Sequence, residues 1–209
     1  PGSASFVDSN TVSIKYGKQE ITASAKNIII ATGSSSIEIP NIPVDEKKIV
    51  SSTGALSLKK VPKSLLVIGG GYIGLEMGSV WSRLGSKVTV VEALDRIVPT
   101  MDGEIAKEFM KMLQKQGIEF KLSHKVSSAK SGKSGVDVEM ATSDKKVIKE
   151  NYEVVLMSVG RKPNTEGLGL EKIGVNLTDN KSIEIRDNFQ TSVKGIFAIG
   201  DVAPGPMLA

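Results

Sequence analysis

Three glycines form the pattern Gly-x-Gly-x-x-Gly within the stretch LLVIGGGYIGLEMGS, at Gly69, Gly71 and Gly74. The first glycine of such a pattern permits a tight turn out of a strand, and the second lets a pyrophosphate lie against bare backbone. The third allows the strand and the following helix to pack closely, and the phosphate charge then faces free N–H groups at the helix N-terminus. The spacing therefore predicts a site for a dinucleotide.

The acid at the end of the next strand bears on which dinucleotide is held. Glu92 ends VTVVE about 20 residues after the glycines, where a carboxylate accepts hydrogen bonds from both ribose hydroxyls and repels a 2′-phosphate. We expect NAD rather than NADP. The alternative for Glu92 is a solvated carboxylate at a strand end, and the cation Arg96, four residues further on, leaves NADP as an alternative ligand. Glu76 lies in the first turn of the predicted helix, where it either contacts the nicotinamide end or complements the helix dipole.

Other kinds of chemistry are excluded by what the chain lacks. It contains no cysteine, which excludes disulfides, thiolate metal sites and a redox dithiol within the 209 residues. Its one histidine, His124, lies in a polar segment without a matching acid, so we expect a surface residue and no metal site. The net charge of +4 is spread along the chain without interleaved aromatics, which argues against nucleic acid as a partner. No apolar run reaches the roughly 20 residues that span a bilayer.

Alternating strands and helices must position these groups. From Leu65 onward the pattern predicts, in order, LLVIG as a strand, YIGLEMGSVWSRLG as a helix, KVTVVE as a strand, DGEIAKEFMKMLQKQG as a helix and IEFKLSH as a strand. Such alternation predicts a parallel sheet wound by right-handed crossovers. Three further segments, KVSSAKSG, GVDVEMAT and KKVIKEN, predict an antiparallel insertion, and EVVLMSVG predicts a buried strand that closes the unit.

Shorter strands flank this unit. TVSIKY and EITASAK are half polar and typical of edge strands, whereas the apolar run NIIIA within NIIIATG predicts a strand buried on both faces. Residues 34–62 contain prolines and turn residues, which indicates a connection between domains. GIFAIG predicts another buried strand, and Asp201 follows it directly.

Together these motifs resemble a known family. SSTGALSL, the glycine stretch, MLQKQGIEFKL, VGRKPNT and GIFAIGD resemble the dihydrolipoamide dehydrogenase family, the flavoprotein component of 2-oxo acid dehydrogenase complexes. ATG, GRKPN and AIGD mark the wider class of flavoprotein disulfide reductases. SSTGALSL and the strand that ends on Glu92 favour the NAD-linked lipoamide enzyme within that class, and the resemblance covers essentially the whole chain.

The resemblance implies an α/β fold in which an NAD-binding domain interrupts an FAD-binding domain. Residues 63–186 are then a Rossmann-like NAD-binding domain with a parallel sheet and an antiparallel insertion, flanked by partial FAD-domain strands. Residues 1–62 are the C-terminal part of the first FAD-domain segment plus the connection, and residues 187–209 are the return segment to the FAD domain.

The resemblance also implies which residues meet each cofactor. The residues implied for the NAD site are Gly69, Gly70, Gly71, Tyr72, Ile73, Gly74, Glu76, Glu92, Val126 and Gly160. The residues implied for the FAD site are Thr32, Gly33, Asp201, Met207, Leu208 and Ala209, with Asp201 accepting a hydrogen bond from the ribityl chain. Arg161 and Lys162 either support the NAD site or face solvent.

The chain departs from the family pattern in three features. It has no separate N-terminal glycine fingerprint for FAD, no Cys-x4-Cys dithiol, and no C-terminal His–Glu pair that moves protons for lipoamide. We therefore expect an internal fragment of an NAD-dependent flavoprotein oxidoreductase, which binds NAD(H) but has no catalytic residues and does not turn over. The alternatives are another NAD(P)H-dependent flavoprotein disulfide reductase or NADH oxidase, and a non-catalytic NAD-binding module.

For the intact parent, the resemblance implies oxidation of protein-bound dihydrolipoyl groups through a redox disulfide and FAD, with NAD⁺ as the acceptor. Its partners are then the lipoyl domains of a 2-oxo acid dehydrogenase complex and a second copy in a homodimer, with no nucleic acid and no membrane. The expected location is the cytoplasm of a bacterium or the mitochondrial matrix, rather than secretion.

Overall fold

A computed structural model of the chain describes residues 2–144 and 146–207. Its contacts divide the chain into two compact units. The flanking unit combines Pro1–Ser35 with Arg161–Ala209, and the central unit is Ser36–Gly160. Each unit is described by itself below.

The secondary structure is numbered in chain order. The strands are β1 (Ser3–Asp8), β2 (Thr11–Tyr16), β3 (Gln19–Ser24), β4 (Ile28–Ile30), β5 (Ser34–Ser36), β6 (Ile49–Val50), β7 (Ser64–Ile68), β8 (Lys87–Val91), β9 (Glu119–Lys121), β10 (His124–Gly132), β11 (Gly135–Thr142), β12 (Val147–Tyr152), β13 (Val154–Met157), β14 (Arg161–Pro163) and β15 (Ile196–Ala198). The helices are α1 (Ser52–Leu56), α2 (Tyr72–Arg83), α3 (Gly103–Lys115) and α4 (Leu170–Ile173), and a 3₁₀ turn spans Gly200–Val202.

The central unit is built on a parallel sheet with the strand order β6-β13-β7-β8-β9. Side chains alternate between its faces, and β7 is apolar from Leu65 to Ile68 because both faces are covered. Leu65 and Val67 pack with residues of α1, α2 and α3. Leu66 and Ile68 pack with the antiparallel sheet β10-β11-β12. The prediction of an α/β fold with a parallel sheet is confirmed.

The second long helix of the central unit starts and stops at residues that favour such ends. Asp102 caps α3, because its Oδ1 accepts hydrogen bonds from the N–H groups of Glu104 (2.9 Å) and Ile105 (3.2 Å). The chain leaves the helix through Gly117, whose φ is +90°. Among the described residues, no helix is long and apolar enough to cross a membrane.

The flanking unit contains the antiparallel sheet β1-β2-β3 and two two-stranded sheets, in which β4 pairs with β15 and β5 pairs with β14. Its core includes Phe6, Ile30, Leu170 and Ile196. The prediction that NIIIA is buried on both faces is wrong, because Ile29 is 62% exposed while Ile30 is 4% exposed. Within the described residues β4 has one strand neighbour, and only one of its faces packs on the core.

The two units divide the sequence after residues 35 and 160, whereas the predicted domain divisions fall after residues 62 and 186. The connecting segment joins the central unit because β6 pairs with β13 and the side chains of Ile42 and Ile49 are buried against the sheet. The segment after residue 160 joins the flanking unit because Leu170 and Ile183 are buried in its core. Turn residues mark irregular backbone, but the burial of apolar side chains decides which unit a segment joins.

Candidate dinucleotide-binding site

The glycine-rich turn joins the end of β7 to the start of α2. Gly69 has a φ of +108°, and a Cβ placed there would lie 2.4 Å from the carbonyl oxygen of Ser158, so a side chain does not fit. A Cβ at Gly74 would lie 2.4 Å from the carbonyl oxygen of Gly69, because the helix packs directly on the turn. A Cβ at Gly71 would meet no atom within 4 Å. Gly71 therefore borders open space in which a ligand can approach the backbone.

The N-terminus of α2 begins at this open position. Gly71 is the N-cap residue and provides no side-chain cap, and the first turn of the helix contains no acid. The N–H of Leu75 donates to the carbonyl of Gly71 at 3.0 Å, which is the first hydrogen bond of the regular helix pattern. The helix end thus keeps a partial positive charge, which favours a phosphate.

Glu76 is the fifth residue of α2, which begins at Tyr72 as the sequence predicts. Because α2 begins at Tyr72, its first turn ends before Glu76, so the prediction that Glu76 lies in the first turn is wrong. The Glu76 side chain is exposed, and the field of the helix dipole fades within the first turn. A contact with the nicotinamide end stays a prediction.

Glu92 follows the last residue of β8 and is hydrogen bonded to the glycine turn. Its Oε2 accepts from the N–H of Gly70 at 2.7 Å, and its Oε1 accepts from the N–H of Leu94 at 2.9 Å. The parallel pairing of β7 with β8 brings the ends of both strands to the same edge of the sheet. Glu92 is half-buried and held by two backbone donors, so it is not a freely solvated carboxylate. Its oxygens retain lone pairs for ligand hydroxyls.

Arg96, the cation that leaves NADP as an alternative ligand, contacts the turn before α3. Its Nη2 donates to the carbonyl of Pro99 at 2.5 Å. Its Nη1 lies 3.5 Å from the position that a Cβ on Gly103 would take. The guanidinium therefore braces the segment that leads into the helix.

Two residues that sequence reasoning missed support the glycine turn. The Oγ and the N–H of Ser158 both donate to the carbonyl of Ile68, at 2.9 Å and 2.8 Å. The N–H of Val98 donates to the carbonyl of Gly70 at 2.9 Å, although the φ of Val98 is +38°, a strained value for a β-branched residue. Ser158 could have been found from the sequence, because it is a polar residue at the end of the apolar strand EVVLM. Val98 has no such signal, because its strain arises from tertiary packing.

The remaining residues of the predicted NAD site take different positions in the central unit. Val126 is buried in the same core cluster as Val91, and a β-bulge follows it, so its backbone is the part available to a ligand. Gly160 has a φ of +128°, and its carbonyl accepts from the N–H of Ile37 at 2.9 Å. Tyr72 is exposed and Ile73 is half-buried. The structure thus brings the glycine turn, Glu92, Ser158 and Val98 into direct contact.

A second cluster of predicted residues lies in the flanking unit. The parallel strands β4 and β15 carry Ser34 and Asp201 beyond their carboxyl ends, and Ser34 Oγ donates to Asp201 Oδ2 at 2.6 Å. The Asp201 side chain is 11% exposed. Cβ atoms at Gly33 and Gly200 would each meet nothing within 4 Å, so open space borders the turns on both sides of this contact.

The positions of the other predicted FAD-site residues are less informative. Thr32 is exposed, and its Oγ1 donates to the carbonyl of Asn164 at 2.8 Å. Met207 is half-buried. Two further predicted residues, Leu208 and Ala209, lie outside the described residues.

Arg161 belongs to this second cluster and does not simply face solvent. Its Nε and Nη2 donate to the Oγ and the carbonyl oxygen of Ser34, at 2.6 Å and 2.7 Å. Lys162 is 57% exposed, and its Nζ lies 3.8 Å from a carboxylate oxygen of Glu166. The two neighbouring cations therefore have different surroundings, although the sequence predicts the same two possible roles for both.

The whole chain, residues 1–209, matches the pyridine nucleotide-disulphide oxidoreductase family. The chain belongs to this family. Dihydrolipoyl dehydrogenase 1, mitochondrial, of Arabidopsis thaliana is 54% identical over 212 residues, which cover 100% of this chain and 41% of that protein. The mitochondrial dihydrolipoyl dehydrogenase of Dictyostelium discoideum is 51% identical over 204 residues, which cover 96% of this chain and 42% of that protein. The resemblance to dihydrolipoamide dehydrogenase is confirmed.

A solved structure of the same family class supports the fold. The Cu(II) complex of the HOCl-induced flavoprotein disulfide reductase RclA from Escherichia coli matches with a TM-score of 0.86 at 28% identity. The match covers 99% of this chain and 46% of RclA. This pyridine nucleotide-disulphide oxidoreductase chain spans about two-fifths of the length of the curated relatives that it matches.

The two clusters of the oxidoreductase chain fit different parts of its family's cofactors. In the central unit, the space above Gly71 and the half-buried Glu92 fit the pyrophosphate and the ribose of a dinucleotide. In the flanking unit, Asp201 uses Oδ2 for its described contacts, and Oδ1 has no partner among the described residues. A nearly buried carboxylate oxygen of this kind fits the hydroxyls of a ribityl chain. The flanking unit fits the ribityl part of FAD and not its pyrophosphate, because the chain's Gly-x-Gly-x-x-Gly pattern lies in the central unit.

A polar cluster between β9 and β12 contains two groups with clearly shifted pKa values. Lys121 Nζ donates to Glu150 Oε1 at 2.6 Å, and the Tyr152 hydroxyl donates to Glu150 Oε2. Burial acts to raise the pKa of Glu150, but the two hydrogen bonds outweigh it and the pKa lies below its ordinary value of 4.5. Burial, followed by the bond to Glu150, raises the pKa of Tyr152 well above its ordinary value. The oxidoreductase therefore carries an ionised glutamate in this cluster at neutral pH.

His124 and potential metal ligands offer no competing site. His124 is half-buried, and its Nδ1 lies 2.6 Å from the carbonyl oxygen of Leu122. In residues 2–144 and 146–207, no group of three or more histidines or acids has the arrangement of a metal site.

Proposed function

We propose that the central unit binds NAD(H) at the glycine turn. The observation that carries this proposal is the contact between Glu92 Oε2 and the Gly70 N–H at 2.7 Å, next to the open space above Gly71. The contact joins a carboxylate to the glycine turn at one edge of a parallel sheet, and it supports the proposal because nucleotides bind at this edge in open α/β sheets. The pyrophosphate lies against Gly71 and the N-terminus of α2.

The choice of NAD over NADP rests on the charge of Glu92. A carboxylate accepts hydrogen bonds from two ribose hydroxyls, whereas it repels a 2′-phosphate and has no proton to donate to it. The nearest cation in sequence is Arg96, whose guanidinium is engaged by Pro99. The other residues proposed to line the site are Gly69, Tyr72, Ile73, Gly74, Glu76, Val126 and Gly160.

We further propose that the flanking unit contributes to an FAD site. Asp201 accepts a hydrogen bond from the ribityl chain, and Thr32 and Gly33 approach the cofactor at the open side of their loop. Met207, Leu208 and Ala209 pass beside the flavin. The support for this part is the nearly buried carboxylate of Asp201 and the family to which the chain belongs.

For the protein as a whole we propose dihydrolipoyl dehydrogenase activity. FAD and NAD⁺ together carry the electrons that leave a protein-bound dihydrolipoyl group through a redox disulfide. The chain has no cysteine, so its own residues hold and orient cofactors but supply no thiolate. Lipoyl domains and a second copy of the protein are the proposed partners. The names of the relatives favour mitochondria as the location.

The second candidate is another flavoprotein disulfide reductase. The match to RclA, a flavoprotein disulfide reductase, favours it. The two candidates differ in the disulfide or dithiol that exchanges electrons with the flavin. Reduction of NAD⁺ by dihydrolipoamide, measured at 340 nm with the complete gene product, separates them: turnover supports the first candidate and its absence supports the second.

The nucleotide proposal is tested by titration calorimetry of the chain with NADH and NADPH. We expect NADH to bind more tightly, and Glu92→Ala to weaken NADH binding by about 10- to 100-fold, since hydrogen bonds to a charged acceptor contribute about 1.5–3 kcal/mol. The same variant should lose most of the preference for NADH. Asp95→Ala is the matched control, because it removes an exposed acid three residues away. Equal affinities for NADH and NADPH in the unmodified chain would overturn the proposal.

A further inference from the structure

Three side chains of the flanking unit form a directed series of hydrogen bonds. Arg161 grips Ser34 at two points, through Nε to Oγ at 2.6 Å and through Nη2 to the carbonyl oxygen at 2.7 Å. Ser34 Oγ in turn donates to Asp201 Oδ2 at 2.6 Å. Arg161 and Asp201 are 23% and 11% exposed, so this series is largely shielded from water. Such shielding strengthens hydrogen bonds between charged and polar groups.

The chemistry of the three groups fixes the direction of each bond. A guanidinium has donors and no acceptor, so the Ser34 hydroxyl must accept from Arg161. Its single proton is then directed to Asp201, and both bonds of the hydroxyl involve a charged partner. Asp201 Oδ2 is thereby occupied, while Oδ1 has no partner among the described residues. The orientation of the carboxylate is set before any ligand arrives.

We propose that Ser34 and Arg161 are positioning residues, which hold Asp201 so that Oδ1 accepts a hydrogen bond from the ribityl hydroxyls of FAD. This inference rests on the proposed function, in which Asp201 meets FAD. Arg161 acts through Ser34, because its Nε is 3.8 Å from Asp201 Oδ2 and 2.6 Å from Ser34 Oγ. Neither residue touches the cofactor in this proposal. Their role is to reduce the freedom of the carboxylate that does.

The chain offers a matched control in the next residue. Ser35 is the next residue of β5 and is exposed, and its Oγ donates to Asn164 Oδ1 at 2.7 Å. Ser35→Ala therefore removes one hydroxyl and one hydrogen bond without a contact to Asp201. Ser34→Thr keeps the hydroxyl, and Arg161→Lys keeps the charge but loses the planar fork that grips Ser34 at two points.

The test uses the complete gene product that contains this chain, stripped of flavin and titrated with FAD while flavin fluorescence is followed. We expect Ser34→Ala to raise the dissociation constant for FAD about tenfold, as loss of one hydrogen bond to a charged group does. Ser34→Thr should restore most of the affinity, and Ser35→Ala should leave it unchanged. In Asp201→Asn, the further change Ser34→Ala should add less than twofold, because Ser34 acts through the carboxylate. Arg161→Lys should weaken FAD binding in the same direction, which keeps the test available if Ser34→Ala does not fold.

The outcomes separate this inference from the proposed function. If the unmodified gene product takes up no FAD, the proposed function fails and the inference fails with it. If it binds FAD and Ser34→Ala and Arg161→Lys bind equally well, only the inference is overturned. The inference is also overturned if Ser34→Ala and Ser35→Ala lose equal FAD affinity, or if the losses from Ser34→Ala and Asp201→Asn add in the double variant. Either result indicates a general effect on the segment around Ser34.

Discussion

The same substitution at two glycines of the turn should affect different properties, nucleotide binding at Gly71 and stability at Gly74. At Gly71 an added Cβ meets no atom within 4 Å, and the φ of −79° and ψ of 174° suit any residue. At Gly74 an added Cβ would lie 2.4 Å from the Gly69 carbonyl oxygen, 2.5 Å from Ser158 Oγ and 2.9 Å from Val67 Cγ1. We expect Gly71→Ala to weaken nucleotide binding strongly in a stable protein, and Gly74→Ala to destabilise the protein itself.

The magnitudes follow from these contacts. For Gly71→Ala, a poorer N-cap and a less flexible unfolded chain each change the stability by about 0.5–1 kcal/mol in opposite directions, so the unfolding free energy stays within about 0.5 kcal/mol. The new methyl group separates the pyrophosphate from the backbone, and loss of one or two charge-assisted hydrogen bonds, about 3 kcal/mol, weakens NADH about 100-fold. For Gly74→Ala, overpacking costs about 2 kcal/mol. That cost lowers Tm by about 4–8 °C in a chain of this size.

The assay pairs thermal unfolding with NADH titration for each variant. Gly71→Ala should unfold at the same temperature as the unmodified chain and bind NADH about 100-fold more weakly, while Gly74→Ala should unfold at a lower temperature. The steric reasoning is refuted if Gly71→Ala binds NADH normally, or if it lowers Tm as much as Gly74→Ala does.

Three further results are expected. Arg96→Ala should leave the ratio of NADH to NADPH affinity unchanged in calorimetry, because the guanidinium donates to Pro99; a twofold or greater change would contradict this. Leu66→Ala should lower the unfolding free energy by about 2–5 kcal/mol in urea titrations, since Leu66 is 0% exposed in the parallel sheet; a loss below about 1 kcal/mol would mean that the site is less tightly packed. The folded-state pKa of Glu150 is lowered, so its contribution to stability is present above about pH 4.5 and is lost as the pH falls through the lowered value. Lys121→Met should therefore destabilise the protein at pH 7 and have a shrinking effect toward pH 3, measured as the difference in Tm; a pH-independent difference would argue against the ion pair.

Much of the central unit could be predicted because its determinants are local. The apolar run of β7, the three glycines and the periodic apolar residues of α2 each specify a short piece of backbone without help from the rest of the chain. The sheet was predictable for the same reason, since alternating strands and helices permit few topologies. Glu92 was found by its distance in sequence from the glycines, which the strand–turn–helix–strand geometry sets.

The errors came from features that depend on distant contacts. The sequence predicted Ile29 to be buried, but an apolar residue is buried only if another element covers it, and the described residues provide no cover on that face. The pairing of β6 with β13, which are about 100 residues apart in sequence, attaches the connecting segment to the central unit, and no local pattern predicts it.

The sequence by itself determined the family, the α/β architecture and the position of the glycine turn, because short-range patterns of glycine and apolar residues carry that information. Only the tertiary structure decided what holds the turn and the acids in place. Ser158, Val98 and Ser34 reach their partners through contacts between segments brought together by parallel strand pairing, and Arg161 reaches Ser34 where β14 pairs with β5. No local pattern specifies such contacts, since hydrogen bonds of this kind depend on distances between segments and not on spacing along the chain.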